Sequence, residues 1–107
     1  MKQSYEDLEI YQLSKTLAIE VHRITLDELP KFEMYEEGSQ IRRSSKSIGA
    51  NIQLLTYALA SCDETKYHLE VLQGTLSLKG DKVKYFLERY NELGRKIFNF
   101  RRSIIDE

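Results

Sequence analysis

From Ile48 to Leu76, apolar side chains recur at three- and four-residue steps through Ile52, Leu55, Leu59, Cys62, Leu69 and Leu72, interrupted only at Thr65 or Lys66. That spacing marks one face of an α-helix. One proline and five glycines in 107 residues leave few breakers, which suits long helices and disfavours a many-stranded sheet with its frequent turns. The expected class is all-α. Gly49 is a weak stop, since a single helical glycine costs only ~1 kcal/mol relative to alanine. Read literally, helix runs from about residue 39 to about residue 78, roughly 60 Å at ~1.5 Å per residue.

Helical spacing extends to both sides of this stripe. Ser4 followed by Asp7 resembles a capping box with an acid in place of the usual Glu or Gln, and Ile10, Leu13, Leu17, Val21 and Ile24 then predict a helix over 5–27. Pro30 discourages helix at Leu29, and Asp27 to Gly38 mixes charge with Phe32, Met34 and Tyr35, as a connection packed on a core would. Ser39 is placed to cap the next helix, whose buried face carries Ile41, Ser45, Ile48 and Ile52. Small residues at 44, 45, 47, 49 and 50 allow a neighbouring helix to come close. Gly74 weakens the far end of the stripe, and Gly80 with Asp81 offers a stop followed by a new N-cap. Val83, Phe86, Tyr90, Leu93, Ile97, Phe100 and Ile104 form a heptad seam over 82–105.

Two architectures compete. With one unbroken central helix the chain makes two separate hairpins, each with half its seam wet. A hairpin of this size buries too little apolar surface to offset its conformational entropy, so the chain would have to dimerise. With a turn near Ile52 and Gln53, four helices of similar length form one domain over 1–107, an antiparallel up-down-up-down four-helix bundle. Ile52 to Leu55 contains no Gly, Pro, Asp or Ser, however, and a reversal in zero residues is sterically impossible.

The run LPKFEMYEEGSQIRRSSKSIGANI, followed by YALASCDET and HLEVL, resembles the four-helix-bundle proteins first noted as products of intervening sequences in 23S ribosomal RNA genes, and the opening YEDLEIYQLSKTLAIEVHRIT fits as well. The resemblance covers nearly the whole chain. In that family the Ala-Asn-Ile segment leads into a glycine- and arginine-rich turn before the third helix. The resemblance therefore implies that a loop between Ile52 and Gln53 is missing from the sequence, in a place where disorder is expected. These proteins are similar to the accessory variability determinant of diversity-generating retroelements, a pentameric helical barrel. The likeness implies a homo-pentamer that engages RNA or a reverse-transcriptase-like protein.

Charge and reactive residues bound the function. A net charge of −1 gives no global field toward nucleic acid or membrane, so any such binding must be local. No apolar run approaches the ~20 residues of a membrane span, and the acidic start MKQSYEDLEIY does not read as a signal peptide. A cytoplasmic protein is expected. Arg42, Arg43 and Lys46 fall within about one helical turn and suit consecutive phosphates, with Lys31 beside them if the preceding turn folds back. The same residues also suit a solvated face paired with Glu33, Glu36 or Glu37. Arg95, Lys96, Arg101 and Arg102 form a second basic cluster that the helix macrodipole alone accounts for. Tyr5, Tyr11, Tyr57, Tyr67, Tyr85 and Tyr90 exceed what one core seam needs, which suits either an interface or half-exposed bundle edges.

Catalytic chemistry finds little. Glu64 and His68 are one turn apart, but a di-metal bundle site needs two Glu-x-x-His pairs and two more inward glutamates. His22 is isolated, Asp63 and Glu64 read as surface, and Cys62 in its apolar stripe reads as a buried thiol. No zinc spacing and no phosphate loop occurs. The expectation is a non-enzymatic helical homo-oligomer without cofactor, metal or small-molecule substrate. It binds RNA or a nucleic-acid enzyme, or else it is a protein–protein scaffold.

Overall fold

The computed structural model describes residues 4–105. A 3-10 turn at Tyr5–Asp7 leads into α1 (Glu9–Glu28), then the short α2 (Lys31–Met34), α3 (Glu37–Ala50), α4 (Leu55–Gly74) and α5 (Gly80–Ile105). The molecule measures 47 × 21 × 19 Å. α1, α3, α4 and α5 close a ring in which α1 lies between α3 and α5, and α4 lies opposite. Cross-helix contacts give the directions. Tyr85 bonds Glu20 and Lys96 bonds Glu9, so the partners on α1 retreat as α5 advances. Thr65 with Ser44 and His68 with Glu37 show the same for α3 and α4, and Cys62 with Tyr90 and Thr56 with Arg101 for α4 and α5. The four long helices therefore form the antiparallel up-down-up-down bundle.

The expected stripes supply its centre. Leu17, Val21, Ile41, Ile48, Cys62, Leu69, Leu72 and the α5 seam from Val83 to Ile97 are all buried. The seam weakens beyond that point, with Phe100 only partly buried and Ile104 half exposed. Small residues bring the helices together as expected. A Cβ added to Gly49 would stand 2.9 Å from Ser14 Oγ on α1, and the Thr65 hydroxyl donates to Ser44 Oγ at 2.9 Å across the α3–α4 seam. Buried Ser14, Ser44 and Ser45 satisfy their hydroxyls on carbonyls three residues back, which keeps polar groups in a tight interface without desolvation loss.

The reversal lies at the expected place but needs no additional loop. The chain runs continuously through Ile52 and Gln53, and Asn51 to Leu54 turns it. The bundle thus closes without the segment that the family resemblance implies at that bond. Asn51 is the stop. Its N–H and its side-chain amide both reach Ser47 O, and its carbonyl accepts from Leu54 N–H at 2.7 Å. Asparagine favours such turns because its side chain bonds nearby backbone. Ile52 is buried and anchors the turn, while Gln53 and Leu54 face solvent.

Other expectations are corrected in detail. Ser39 does not cap α3: its hydroxyl donates to the Tyr35 and Glu36 carbonyls from within the first turn. Asp81 lies inside α5 rather than capping it, because the helix begins at Gly80. α1 begins at Glu9, and Ser4 instead caps the preceding 3-10 turn by accepting from Glu6 N–H. In the 27–38 connection Phe32 and Tyr35 are 71% and 83% exposed, so it is pinned by other groups. Buried Glu33 accepts from Ser77 Oγ at 3.0 Å, and Arg42 donates to Met34 O at 2.7 Å. Leu76 leaves the core stripe altogether. It sits at φ 60 and is 90% exposed, at the residue after the Thr75 C-cap.

Candidate nucleic-acid interface

Arg43 and Lys46 are exposed on the outer face of α3, three residues apart and therefore neighbours on the helix surface. Arg42 points elsewhere. Its guanidinium donates to Thr25 Oγ1 at 3.0 Å and to Met34 O, which ties α1 and α2 to α3. Lys31 is exposed at the start of α2, at the end of the bundle where α3 begins. Lys46 is nine residues beyond Glu37, about 13 Å further along at ~1.5 Å per residue. The structure therefore separates the four expected residues into an outer pair, a structural arginine and an end lysine.

Lys46 meets a different set of cations across the α1–α3 seam. A groove of about 720 Å³ runs between these helices, with Lys15, Arg23 and Lys46 on its rim. Its walls are largely Tyr5, Tyr11, Ala18 and Ile19, and Gly49 and Ser14 lie along the line of closest approach. No aspartate or glutamate among the described residues lines it. Among the described residues, none of Lys15, Arg23, Arg43 and Lys46 has a carboxylate within ion-pair distance. The acids of α1 are used on its other side, where Glu9 bonds Lys96, Glu20 bonds Tyr85, and Glu28 faces Lys82. Arg23 also borders a second groove, between α1 and α5, beside Glu20 and Asp27.

The groove's polar and aromatic groups are placed by the same seam. Tyr5 and Tyr11 meet edge to face with centroids 5.5 Å apart, a favourable ring geometry. His22 lines the groove, and its buried Nδ1 has no hydrogen-bond partner in the protein. Gln53, in the α3–α4 turn, supplies an exposed amide at one end.

The remaining candidates have structural tasks. His68 is buried with Nδ1 2.6 Å from Glu37 Oε2 and Nε2 3.7 Å from Glu64 Oε1. The carboxylates face opposite ring nitrogens, which cannot converge on one metal ion. Cys62 donates its thiol to Tyr90 O, and burial pushes its pKa up to about 11, far from a reactive thiolate. In the C-terminal basic cluster, Lys96 pairs with Glu9 and Glu92, and Arg101 donates to Thr56 Oγ1. Of the six tyrosines considered for an interface, Tyr90 is fully buried and belongs to the core.

Lys15 and Arg23 were not singled out from the sequence, and Tyr5 and Tyr11 were read only as members of a wider set of tyrosines. A helical wheel of α1 carries part of the signal, because Glu9, Glu20 and Asp27 fall together on one side and Lys15 and His22 on the other. The pairing of α1 with α3 supplies the rest. No helix among the described residues is long and apolar enough to cross a membrane. No curated protein matches the chain. Residues 6–54, which hold α1, α2, α3 and all of the groove except Tyr5, match the family model of the 23S rRNA-intervening sequence protein, and over that stretch the chain's resemblance to this family is established.

Proposed function

We propose that this chain is a non-enzymatic helical-bundle protein that assembles with copies of itself and binds RNA through the α1–α3 face. The observation that carries the reading is a groove lined by Lys15, Arg23 and Lys46, with Arg43 three residues from Lys46 on α3, and no carboxylate paired to any of the four among the described residues. Surface cations in a near-neutral protein are commonly matched by neighbouring acids, and here Glu9 and Glu20 of α1 are bonded to α5 instead. Such a face attracts polyanions, and each phosphate contact releases condensed counterions. A non-enzymatic role is supported by the fates of Cys62 and His68, both held in internal bonds.

Self-assembly has its own support. Besides its buried face, α4 carries an outward row of Tyr57, Ala60, Tyr67 and Val71 at three-, seven- and four-residue steps, with both tyrosines more than three-fifths exposed. The same row favours a second reading, a protein–protein scaffold without RNA. Five copies is the stoichiometry the family resemblance implies.

Salt and charge removal separate the two readings. Binding to a structured RNA should fall steeply as salt rises and weaken on combined Arg43→Ala and Lys46→Ala. Arg42 is left intact because its loss would unpin α2. An absence of RNA binding at low salt, with an assembly of unchanged solution mass, would leave the scaffold reading alone.

A further inference from the structure

The groove is built for more than phosphate. A duplex offers a protein its backbone and groove edges, while its base faces are stacked inside. An apolar, aromatic wall gains little from that surface. Unpaired strands differ, because they present base faces to aromatic side chains and phosphates to a basic track. The α1–α3 groove has both features, with Tyr5, Tyr11 and Ile19 on its walls and Lys15, Arg23 and Lys46 along its rim. Its volume of about 720 Å³ lies within the usual size of a small-molecule pocket, ~300–1,000 Å³.

Spacing favours a strand over a single nucleotide. Lys15 and Arg23 are eight residues apart on α1, about 12 Å at ~1.5 Å per residue, more than one phosphate group spans. Successive phosphates of one strand reach both. The exposed Gln53 amide adds a hydrogen-bonding group within the same groove, suited to base edges. Resting on the reading of this face as RNA-binding, we infer that the α1–α3 groove seats an unpaired RNA strand, with bases against Tyr5 and Tyr11 and phosphates on Lys15, Arg23 and Lys46.

The test compares one labelled RNA oligonucleotide of mixed sequence, single-stranded and annealed to its complement, by fluorescence polarisation over a salt series with the full chain. The single strand should bind at least tenfold more tightly than the duplex. Tyr5→Leu should weaken single-strand binding about fivefold or more and leave the duplex unchanged; Tyr5 is exposed, so the fold survives this change. Combined Lys15→Gln, Arg23→Gln and Lys46→Gln should lower the single-strand salt slope by about 2, from ~0.7 per phosphate contact. Photo-crosslinking with 4-thiouridine in the strand should mark peptides within 5–23 and 46–53. Equal affinity for both forms, with Tyr5→Leu silent while the charge variant weakens each, would overturn the strand assignment and leave RNA binding by this face standing. Crosslinks confined to another face would also overturn it. No binding of either form at low salt would remove the RNA reading itself.

Discussion

Leu76→Gly should stabilise this protein, although it deletes a leucine from a helical bundle. Leu76 follows the C-cap of α4 with φ 60, the left-handed region that L-residues enter at a cost of ~1–2 kcal/mol. The geometry is a Schellman ending: Leu76 N–H donates to Gln73 O at 3.0 Å and Ser77 N–H to Leu72 O at 2.9 Å. These bonds satisfy carbonyls at the helix end and hold the strained residue in place. The side chain is 90% exposed, so little burial is lost with it. Glycine removes the strain but brings ~0.5–1 kcal/mol of extra unfolded-state entropy. The net gain is about 0.5–1 kcal/mol, which raises Tm by about 3–6 °C in a domain of this size. Urea and thermal unfolding followed by circular dichroism would measure it, with an unchanged urea m-value marking a true stability change. Leu76→Ala keeps the left-handed strain and should be nearly neutral. A loss of stability in Leu76→Gly would refute the reasoning, and a loss that depends on protein concentration would mean that Leu76 is buried between copies.

Three further outcomes test the core. Tyr90→Phe removes a buried hydroxyl that lacks a well-formed partner, although Ser45 lies close enough to influence it; stability should hold or rise by about 1 kcal/mol, measured by urea titration. Gly49→Ala should destabilise by about 1 kcal/mol through the 2.9 Å approach to Ser14 Oγ, and adding Ser14→Ala should recover most of the loss in a double-mutant cycle, because Ser14 Cβ lies 3.9 Å away. Cys62 has a folded-state pKa raised from 9.0 to about 11, so its contribution is complete below pH 9 and is lost as pH rises to about 11. At ~1.4 kcal/mol per unit the loss is at most about 3 kcal/mol, and the wild type should lose more stability over that window than Cys62→Ala.

The bundle was legible because each helix carries its own apolar face. Val83 to Ile97 follows a heptad that only one face of a helix satisfies, and all of its seam residues are buried. The turn at Asn51 was harder to read because the stripe continues through it: Ile48, Ile52 and Leu55 keep helical spacing while the backbone reverses. Ile52 is apolar because it plugs the end of the core, and periodicity cannot distinguish that from continued helix. Leu76 misled in the opposite direction, being in register with the stripe and outside the core. At the candidate site, Arg43 and Lys46 were visible as neighbours on one helix. The different fate of Arg42, bonded to Thr25 and Met34, depends on chain segments folded against it.

The amino-acid sequence alone determined that this chain is helical, that its helices are amphipathic, and that the second and third must part near Ile52 if one core is to close. These follow from local spacing, since side chains three and four residues apart share a helix face whatever lies beyond. Only the tertiary structure decided which surfaces meet. It placed Lys15 and Arg23 across a seam from Lys46 and drew the acids of α1 toward α5. The cationic groove is a property of two helices held side by side by Ser14 and Gly49, and neither helix contains it alone.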